Sequence, residues 1–503
     1  MLTMFSERKN RSRMRKLTIA VICGVLVLLA GCGPAPAKQS DVRRSLKVMF
    51  WDEGYFFQQY GDLFSMRYDD VDIEVVSTNS MYRSGEVIED QYKATLDFIE
   101  EQKPDVLMVD SSSYEKMVSD GKLMELDSFI TRDKYDTETI YPALIEMLKE
   151  KGAGKLYGLS PTFHGQALFY NVDLFNKYGI DPPQNNITWQ EILDLARRFP
   201  TDGDADSRVY GYGAQYGMNL SNLASMISST EGLSQVNPDT MKVTLNTDAW
   251  KRAYKLAFDA FESGSVYIPE DGGFTGGSME EYYKSQLFLM GRMAMTIGDP
   301  YTLQNLKESS SYMKDFTPFE IGIVAGPVDP ADPETSRNIF FSDIFAIRAD
   351  SPNADAAWDF IKFINGEEYA KVKSRTLNGG LLSRMGYSKE YNGYSLEAFY
   401  ALKPKLDQSA SYERMSKIPN DFYMQFYAVQ EEQLKLVQEK KKSVEEALQA
   451  MEQEGQVILD KAIKDQEANK GKEDTDSNGA ESSSSSGGGI SIDIVPADST
   501  EEE

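Results

Sequence analysis

Three short apolar segments near the start of the chain limit its fold more than any other feature. Residues 46–51, 71–76 and 105–110 are predicted strands, and a helical spacing of apolar residues covers 89–102 between the last two. The third segment is apolar at nearly every position between its two aspartates, which is typical of a strand buried on both faces of a parallel sheet. The alternation of strand and helix predicts an α/β fold.

Polar and aromatic residues follow two of these predicted strands directly. Trp51 and Glu53 come at the end of the first strand, and Asp110 ends the third. Because ligands bind beyond the carboxyl ends of strands in open α/β sheets, we predict that these residues lie at the mouth of a ligand site. An exposed or helix-capping role for each carboxylate remains open at this point.

The amino terminus has the pattern of a secretory signal peptide. Six basic residues within the first sixteen precede an apolar stretch at about 17–30, which ends in Leu-Ala-Gly-Cys at residues 29–32. The stretch is shorter than the roughly twenty residues that a transmembrane helix needs. We therefore predict a signal peptide over residues 1–31. Its ending resembles the bacterial lipobox, which implies that the Cys32 thiol carries a lipid and anchors the chain to a membrane.

Composition predicts the segments that flank the folded body. Residues 33–45 are rich in Pro, Ala and polar residues and form a predicted tether after Cys32. From 465 to 503 the sequence turns to Glu, Asp, Ser and Gly, which predicts a disordered acidic tail. The only other cysteine is Cys23, inside the signal peptide, so we expect no disulfide in the body. The net charge of −26 argues against a nucleic-acid partner, since phosphate binding needs a basic field.

Motifs of common enzyme classes are missing from the sequence. There is neither a G-x-S-x-G elbow nor a phosphate-binding P-loop, and His164 is the single histidine. Residues 202–206 place three aspartates at alternate positions, as an EF-hand loop begins, but Ser207 and Gly213 stand where that loop needs glycine and glutamate. A polar turn is the other interpretation of this segment. We expect no catalytic residue, no cofactor and no metal site.

Seven segments form an ordered series along the chain: 154–159 (GKLYGL), 167–175 (ALFYNVDLF), 179–183 (GIDPP), 188–192 (TWQEI), 291–298 (GRMAMTIG), 351–366 and 443–460. This series resembles the extracellular solute-binding proteins of the sugar-type family (family 1), the receptors of ABC importers. The shared pattern is a glycine-lysine-tyrosine-glycine strand, a strand ending in tyrosine-asparagine, a Pro-Pro pair and a threonine-tryptophan helix start. The chain departs from the pattern at 380–384, which lacks the usual proline, and at 299–301, where tryptophan is common.

The resemblance implies a type II periplasmic-binding-protein-like fold. Two α/β lobes are joined by a hinge that the chain crosses more than once, at about 161–165 and 338–342. Lobe 1 is expected at 46–162 and about 340–388, and lobe 2 at 163–339 and about 389–464. The ligand would bind between the lobes and close them.

The same resemblance implies a monomeric, lipid-anchored receptor outside the cell, which favours a Gram-positive cell surface. It would capture a mono- or oligosaccharide and deliver it to the permease subunits of an ABC importer. A receptor for a peptide, polyamine or anion, a surface glycan-degrading enzyme, and a sensor or folding lipoprotein are the alternatives.

Aromatic and acidic residues are the candidates for sugar contact. A pyranose ring has an apolar face and a rim of hydroxyl groups, so a flat aromatic ring stacks on the face while carboxylates bind the rim. The predicted ligand-binding residues are Trp51, Glu53, Asp110, Phe163, His164, Tyr216, Asp299 and Tyr301. Tyr55 is a further aromatic candidate, whereas Trp189, Trp250 and Trp358 fit the buried faces of helices.

Overall fold

The computed structural model describes residues 43–82, 91–204, 207–214, 218–269, 276–313, 316–341, 343–377, 379–405, 414 and 417–476. The predictions for the signal peptide, Cys32, the tether up to residue 42, Tyr216 and the tail after residue 476 lie outside these ranges. The end of the predicted tether is wrong: residues 44 and 45 lie in the first strand, Arg44–Phe50, where they pair with Val71 and Asp72. Within them, no helix combines the length and apolar character that crossing a membrane requires.

The described chain forms two compact units, each built on its own sheet. Unit 1 comprises the residues up to His164 together with Phe340–Asn392, and unit 2 comprises Gly165–Ile339 and the residues from Gly393 onwards. The chain therefore passes from one unit to the other after residues 164, 339 and 392. The predicted α/β fold with two lobes and more than one crossing is confirmed.

The strands and helices are numbered in chain order. The strands are β1 Arg44–Phe50, β2 Val71–Ser77, β3 Val106–Val109, β4 Gly158–Leu159, β5 Thr162–Phe163, β6 Ala167–Asn171, β7 Tyr210–Tyr212, β8 Val236–Asn237, β9 Lys242–Val243, β10 Met293–Gly298, β11 Ile321–Val324, β12 Thr335–Ser336, β13 Ile344–Ile347, β14 Leu381–Leu382, β15 Glu390–Tyr391, β16 Tyr394–Ser395 and β17 Lys403–Pro404. The α-helices are α1 Glu53–Phe56, α2 Asp62–Arg67, α3 Gln91–Gln102, α4 Ser111–Ser119, α5 Asp127–Asp133, α6 Pro142–Lys151, α7 Val172–Tyr178, α8 Trp189–Ala196, α9 Leu220–Thr230, α10 Asp248–Glu262, α11 Met279–Ser285, α12 Tyr301–Tyr312, α13 Ala354–Ile364, α14 Glu367–Lys373, α15 Asn420–Gln438 and α16 Val444–Asp476. A π-helical turn, Phe57–Gly61, joins α1 to α2, and 3₁₀ turns cover Thr78–Tyr82, Met385–Tyr387 and Glu397–Tyr400.

Unit 1 contains a five-stranded sheet with the order β2-β1-β3-β13-β4. β1 pairs in parallel with both β2 and β3, as the sequence predicts, while β13 runs antiparallel to β3 and β4. Because β13 runs in the opposite direction, its amino end lies at the same edge of the sheet as the carboxyl end of β3. Phe50 and Phe345 stack with ring centroids 6.3 Å apart, so the core of unit 1 reaches that edge.

Unit 2 is built on the four-stranded sheet β11-β6-β10-β7. Its core is a cluster of buried side chains from the sheet and from α8, α9, α10, α15 and α16, and it includes Trp189 and Trp250. Thr188 and Glu191 form a capping box that begins α8, so the Trp189 side chain follows a fixed helix start. The predicted core positions of these two tryptophans are confirmed.

The last helix, α16, continues to Asp476 and so runs past residue 465, where the sequence predicts the tail to begin. Ala462 is the last core residue of this helix. Beyond it, seven of the fourteen residues up to Asp476 are Lys, Glu, Gln or Ala, which have high intrinsic helix propensity. Apolar periodicity therefore ends before the helix does.

A polar cluster in unit 1 predicts a pH-dependent contribution to stability. Asp133 accepts hydrogen bonds from Arg132 Nε at 2.8 Å, Lys362 Nζ at 2.7 Å and Trp358 Nε1 at 2.9 Å. The hydrogen bonds from Arg132 and Lys362 lower the pKa of Asp133. A lowered folded-state pKa means that the ionised carboxylate stabilises the fold at neutral pH, and this stabilisation disappears as the pH falls below about 4.

We expect Asp133→Asn to lower the free energy of unfolding by about 1–3 kcal/mol at pH 7, because Lys362 and Arg132 lose a charged acceptor. The difference from the unsubstituted protein should shrink as the pH falls from about 5 to 3. Urea unfolding over this range measures it, with the exposed Asp69→Asn as the control. A difference that stays constant down to pH 3 would contradict the role given to this carboxylate.

Candidate ligand-binding site

A cavity of about 350 Å³ opens in unit 1 at the edge of the sheet where β1 and β3 end and β13 begins. Its volume is at the lower end of the range for small-molecule pockets. The lining residues come from five segments of the chain: Trp51, Tyr55, Gln59, Tyr60, Met108, Thr162, His164, Asp343, Tyr369, Lys373, Thr376, Gly379, Gly380 and Leu382. The position at strand ends is the one that α/β sheets use for ligands.

An aromatic wall forms one side of the cavity. The rings of Trp51 and Tyr55 have centroids 4.6 Å apart, and the Trp51 side chain is 39% exposed. Asp52 caps α1 by accepting a hydrogen bond from Tyr55 N at 2.8 Å, which fixes the first turn that carries Tyr55. The indole of Trp51 is therefore held by its neighbour while one part of its surface remains open.

The π-helical turn Phe57–Gly61 brings two further side chains to the cavity, Gln59 and Tyr60. The Tyr60 hydroxyl donates a hydrogen bond to Asp343 Oδ2 at 2.8 Å. Burial, with the nearby Tyr369 and Asp343, raises the pKa of Tyr60 well above its usual value, so its hydroxyl remains a donor at neutral pH. π-Helical turns occur frequently at functional sites, where the extra residue changes which side chains share a face.

A lysine also lines the cavity. Lys373 Nζ donates hydrogen bonds to Gln59 Oε1 at 3.0 Å and to the Gln58 carbonyl oxygen at 3.3 Å. Burial lowers the pKa of Lys373. Tyr369, one helical turn earlier on α14, donates from its hydroxyl to the Gln59 carbonyl oxygen at 3.3 Å. The helix therefore turns the same face, with both side chains, toward the π-helical turn.

The charged lining of the cavity consists of one carboxylate, Asp343, and one ammonium group, Lys373, beside the imidazole of His164. The neutral polar groups include the hydroxyls of Tyr55 and Thr162 and the amide of Gln59. The lining thus combines hydrogen-bond donors and acceptors with aromatic rings. This set suits a ligand that carries many hydroxyl groups and little net charge.

His164 lines the cavity at the point where the chain leaves unit 1. Its ring stacks on Phe340 with centroids 5.2 Å apart, and the backbones of these residues exchange hydrogen bonds of 2.9 and 3.0 Å. Gly380 forms the adjacent wall with a φ of +86°, and a Cβ there would lie 2.8 Å from the Phe163 carbonyl oxygen. A glycine is therefore required for this wall to pass so close to the β5 backbone.

Two of the predicted ligand-binding residues, Trp51 and His164, line this cavity. Phe163 does not, and this corrects its predicted position: its side chain is 0% exposed and its ring packs on Tyr141 at 5.5 Å. Successive side chains of a strand point to opposite faces, so Thr162 and His164 face the cavity and Phe163 faces the core.

The acidic candidates of unit 1 lie outside the lining. Asp110 caps α4, accepting hydrogen bonds from the backbone nitrogens of Ser112 and Ser113 at 2.8 and 2.9 Å. Burial acts to raise the pKa of Asp110, but the hydrogen bonds from Ser112 and Ser113 outweigh it and lower that pKa. Glu53 is exposed in the first turn of α1.

Two other candidates, Asp299 and Tyr301, belong to unit 2. They follow the carboxyl end of β10 and begin α12, where Tyr301 N donates to Asp299 Oδ1 at 2.9 Å. Tyr301 is 41% exposed. Their proposed ligand contact stays a prediction, as it does for Glu53.

Five polar residues that line the cavity are not among the residues predicted from the sequence: Gln59, Tyr60, Asp343, Tyr369 and Lys373. The one signal for them is the spacing of Tyr369 and Lys373, which places a phenol and an ammonium on one helix face. Nothing in the local sequence marks Asp343, because it reaches the site only through the antiparallel insertion of β13.

Metal-binding geometry does not occur in the described part of the chain: no group of three or more His, Cys, Asp or Glu side chains is placed to hold an ion. In the segment at 202–206, Asp204 accepts hydrogen bonds from Ser207 N at 2.8 Å and Ser207 Oγ at 2.6 Å. This contact is that of a polar turn.

Two α/β units, linked by three crossings of the chain, and a polar and aromatic cavity at the strand ends define a two-lobe solute-binding protein. The chain belongs to the family of bacterial extracellular solute-binding proteins, whose family model matches residues 51–371.

Relatives are distant in sequence and similar in fold. A putative binding protein of Brucella abortus is 27% identical over 267 residues, covering 50% of this chain and 57% of the relative. The arabinooligosaccharide-binding protein of Bacillus subtilis is 25% identical over 282 residues, covering 54% of this chain and 59% of the relative. The chain thus spans less than two thirds of these relatives. The sugar-binding protein MalE of Xanthomonas citri has a TM-score of 0.56 at 16% identity, with 83% of this chain and 98% of that chain covered.

Proposed function

We propose that the protein is the substrate-binding subunit of an ABC importer and that it captures a mono- or oligosaccharide. The observation that carries this proposal is the cavity of unit 1, whose lining combines the aromatic pair Trp51 and Tyr55 with the charged groups of Asp343 and Lys373. Binding would close the lobes, and the loaded form would deliver the sugar to permease subunits. No bond is made or broken in this cycle, so the protein has no catalytic residue.

The aromatic wall matches the apolar face of a sugar ring. An exposed indole held by a second ring offers a flat surface at low entropic cost. Asp343 accepts hydrogen bonds from sugar hydroxyls, and Lys373 donates to them. Two further donors, the hydroxyl of Tyr55 and the imidazole of His164, complete the surroundings of the ring.

The charge of the cavity disfavours the other solutes. An anion receptor needs an excess of positive groups, and a polyamine receptor needs an excess of carboxylates, whereas one of each lines this cavity. The arabinooligosaccharide-binding relative of Bacillus subtilis is a further reason to favour sugars. A peptide receptor is the second candidate, since Asp343 and Lys373 also match the two charged ends of a short peptide.

The family's extracellular location agrees with the lipoprotein features of the amino terminus. We therefore propose that the thiol of Cys32 carries the lipid and that the residues between Cys32 and β1 tether a monomeric receptor to the outer face of the cell membrane. Mass spectrometry of the protein purified from membranes would show a diacylglyceryl group on residue 32. An unmodified, unprocessed amino terminus would refute the anchor.

A thermal-shift screen with mono- and oligosaccharides, short peptides and polyamines tests the function. A ligand at about 100 times its dissociation constant stabilises the folded protein by about 2.7 kcal/mol. We expect a sugar to raise the melting temperature. A shift with peptides alone would favour the second candidate, and the absence of any shift across all three classes would refute solute capture.

The variant Lys373→Met locates the binding in this cavity. Loss of the ammonium hydrogen bonds should lower the affinity for the sugar by about 10- to 150-fold, because a charged hydrogen bond usually contributes about 1.5–3 kcal/mol. The shift caused by a fixed sugar concentration should then fall well below that of the unsubstituted protein. Lys371→Met, an exposed position on the same helix, is the matched control and should keep the full shift. Equal shifts in the two variants would exclude this cavity as the site.

A further inference from the structure

The two carboxylate oxygens of Asp343, which lines the cavity of unit 1, have different surroundings. Oδ2 accepts a hydrogen bond from the Tyr60 hydroxyl at 2.8 Å. Oδ1 has no hydrogen-bond partner among the described residues. Asp343 is half-buried, yet Oδ1 is not one of the buried polar atoms that lack a partner, so this oxygen is open to solvent. One oxygen is therefore bound by the protein, and the other is available to a ligand.

The Tyr60 hydroxyl is a donor whose position is fixed. Tyr60 is 4% exposed, and its ring packs on Phe345 and Tyr369 with centroids 5.0 and 5.9 Å away. Burial raises the pKa of Tyr60 well above its usual value, so the hydroxyl keeps its hydrogen at neutral pH. A buried hydroxyl left without an acceptor destabilises the fold. Because Asp343 is its acceptor in the described structure, the hydroxyl retains this hydrogen bond.

The backbone of Asp343 is also held in place. Its carbonyl oxygen accepts a hydrogen bond from Ser160 Oγ at 2.8 Å. The next residue, Ile344, begins β13 and is paired with Val109 of β3. The remaining freedom of the carboxylate lies in its side-chain torsions, and the Tyr60 hydrogen bond restricts these.

We propose that Tyr60 is a positioning residue, which holds the Asp343 carboxylate so that Oδ1 accepts a hydrogen bond from one hydroxyl of the sugar. This inference rests on the proposed sugar binding. An ionised carboxylate accepts hydrogen bonds and donates none, so the sugar hydroxyl at this point is the donor. A deoxy sugar that lacks this hydroxyl leaves the oxygen unpaired and binds more weakly.

A carboxylate and an amide respond differently to the Tyr60 hydroxyl. Both carboxylate oxygens are acceptors, so Tyr60 binds one and leaves an acceptor for the sugar. An amide has one oxygen, and its NH₂ group only donates. In Asp343→Asn the Tyr60 hydroxyl binds the amide oxygen, which turns the NH₂ group toward the sugar hydroxyl. Removing the Tyr60 hydroxyl frees the amide to turn its oxygen toward the sugar instead.

Tyr60→Phe, Asp343→Asn and the double variant test the proposal through the sign of one exchange. Alone, Tyr60→Phe should lower the affinity for the best sugar of the thermal-shift screen by roughly 3- to 10-fold, because the carboxylate loses its fixed orientation. In the Asp343→Asn background, the same exchange should raise the affinity by about threefold or more. A merely structural role of Tyr60 would lower the affinity in both backgrounds. A double variant that binds no more tightly than Asp343→Asn would overturn the proposal.

Tyr114→Phe is the matched control for the loss of a buried phenol hydroxyl. Tyr114 is 0% exposed, belongs to unit 1 and donates to the Leu148 carbonyl oxygen at 3.3 Å, but it does not line the cavity. The exchange should lower the melting temperature and leave the sugar affinity unchanged in both backgrounds. Isothermal titration and a melting curve of each variant measure the two effects separately.

Crystal structures of the free protein separate a failure of this proposal from a failure of sugar capture. In Tyr60→Phe we expect the Asp343 carboxylate to turn from its orientation in the unsubstituted protein or to occupy two orientations. A single, unchanged orientation would refute the positioning role, whatever the sugar screen finds. A turned carboxylate in a protein that binds no sugar would refute sugar capture and still support the effect of Tyr60 on Asp343.

Discussion

Asp343→Asn should weaken the binding of the best sugar by about 10- to 150-fold while the fold remains intact. Among the described residues, this carboxylate is the single negative group that lines the cavity, and its charged hydrogen bonds to sugar hydroxyls contribute about 1.5–3 kcal/mol. Asparagine is of equal size, and its carbonyl oxygen still accepts the hydrogen bond from the Tyr60 hydroxyl. The loss of affinity therefore reports the charge and not a collapse of the wall.

Isothermal titration with the sugar, together with a melting curve of each variant, measures this effect. Asp69→Asn, exposed elsewhere in unit 1, should bind as the unsubstituted protein does. Unchanged affinity in Asp343→Asn, with sugar binding present, would place the ligand elsewhere and leave the family assignment untouched. A large fall in melting temperature would instead show that the Tyr60 contact needs the full charge.

The sequence predicts the scaffold of unit 1 well because its signals are local. β1, β2 and β3 lie within one or two residues of the predicted strands, since each is a short apolar segment between polar turns. Helical spacing likewise predicts that the tryptophans on helices are buried in the core, whereas Trp51 at the end of a strand is exposed. Patterns of period 2 and 3.6 carry this information without any knowledge of tertiary contacts.

The site is less predictable because it joins distant parts of the chain. The sequence indicates Trp51 by its place after a strand and His164 by its place in the crossing at 161–165 that the resemblance implies. Asp343 and Lys373 approach them only after β13 inserts beside β3 and α14 packs against the π-helical turn. Asp110, in contrast, is a predicted ligand-binding residue that caps a helix in the structure. A carboxylate after a strand suits a ligand, yet it equally suits a helix start, and Ser112 and Ser113 provide the backbone donors that decide for the cap.

Two tryptophans of unit 1 should show opposite effects when each is replaced by alanine. Trp358 is 0% exposed, packs against Tyr135 and donates from Nε1 to Asp133 at 2.9 Å. We expect Trp358→Ala to cost about 3–5 kcal/mol of stability, because it leaves a large cavity and removes one hydrogen bond to Asp133. Trp51→Ala removes a side chain with an open face, so its stability cost should be about 1 kcal/mol or less.

The expected order of affinities is the reverse of the order of stabilities. Trp51→Ala should weaken sugar binding by about 5- to 30-fold, from about 1–2 kcal/mol of lost ring contact. Trp358→Ala should bind the sugar with nearly unchanged affinity at a temperature where circular dichroism shows it folded, since its ring does not line the cavity. Titration and urea unfolding of both variants measure the two quantities separately. If Trp51→Ala binds the sugar with normal affinity, the aromatic wall does not contact the sugar. If both variants lose affinity in proportion to their loss of stability, the lower affinity arises from a damaged fold and not from a lost contact with the sugar. Only the crossed pattern assigns the exposed indole to the ligand and the buried one to the core.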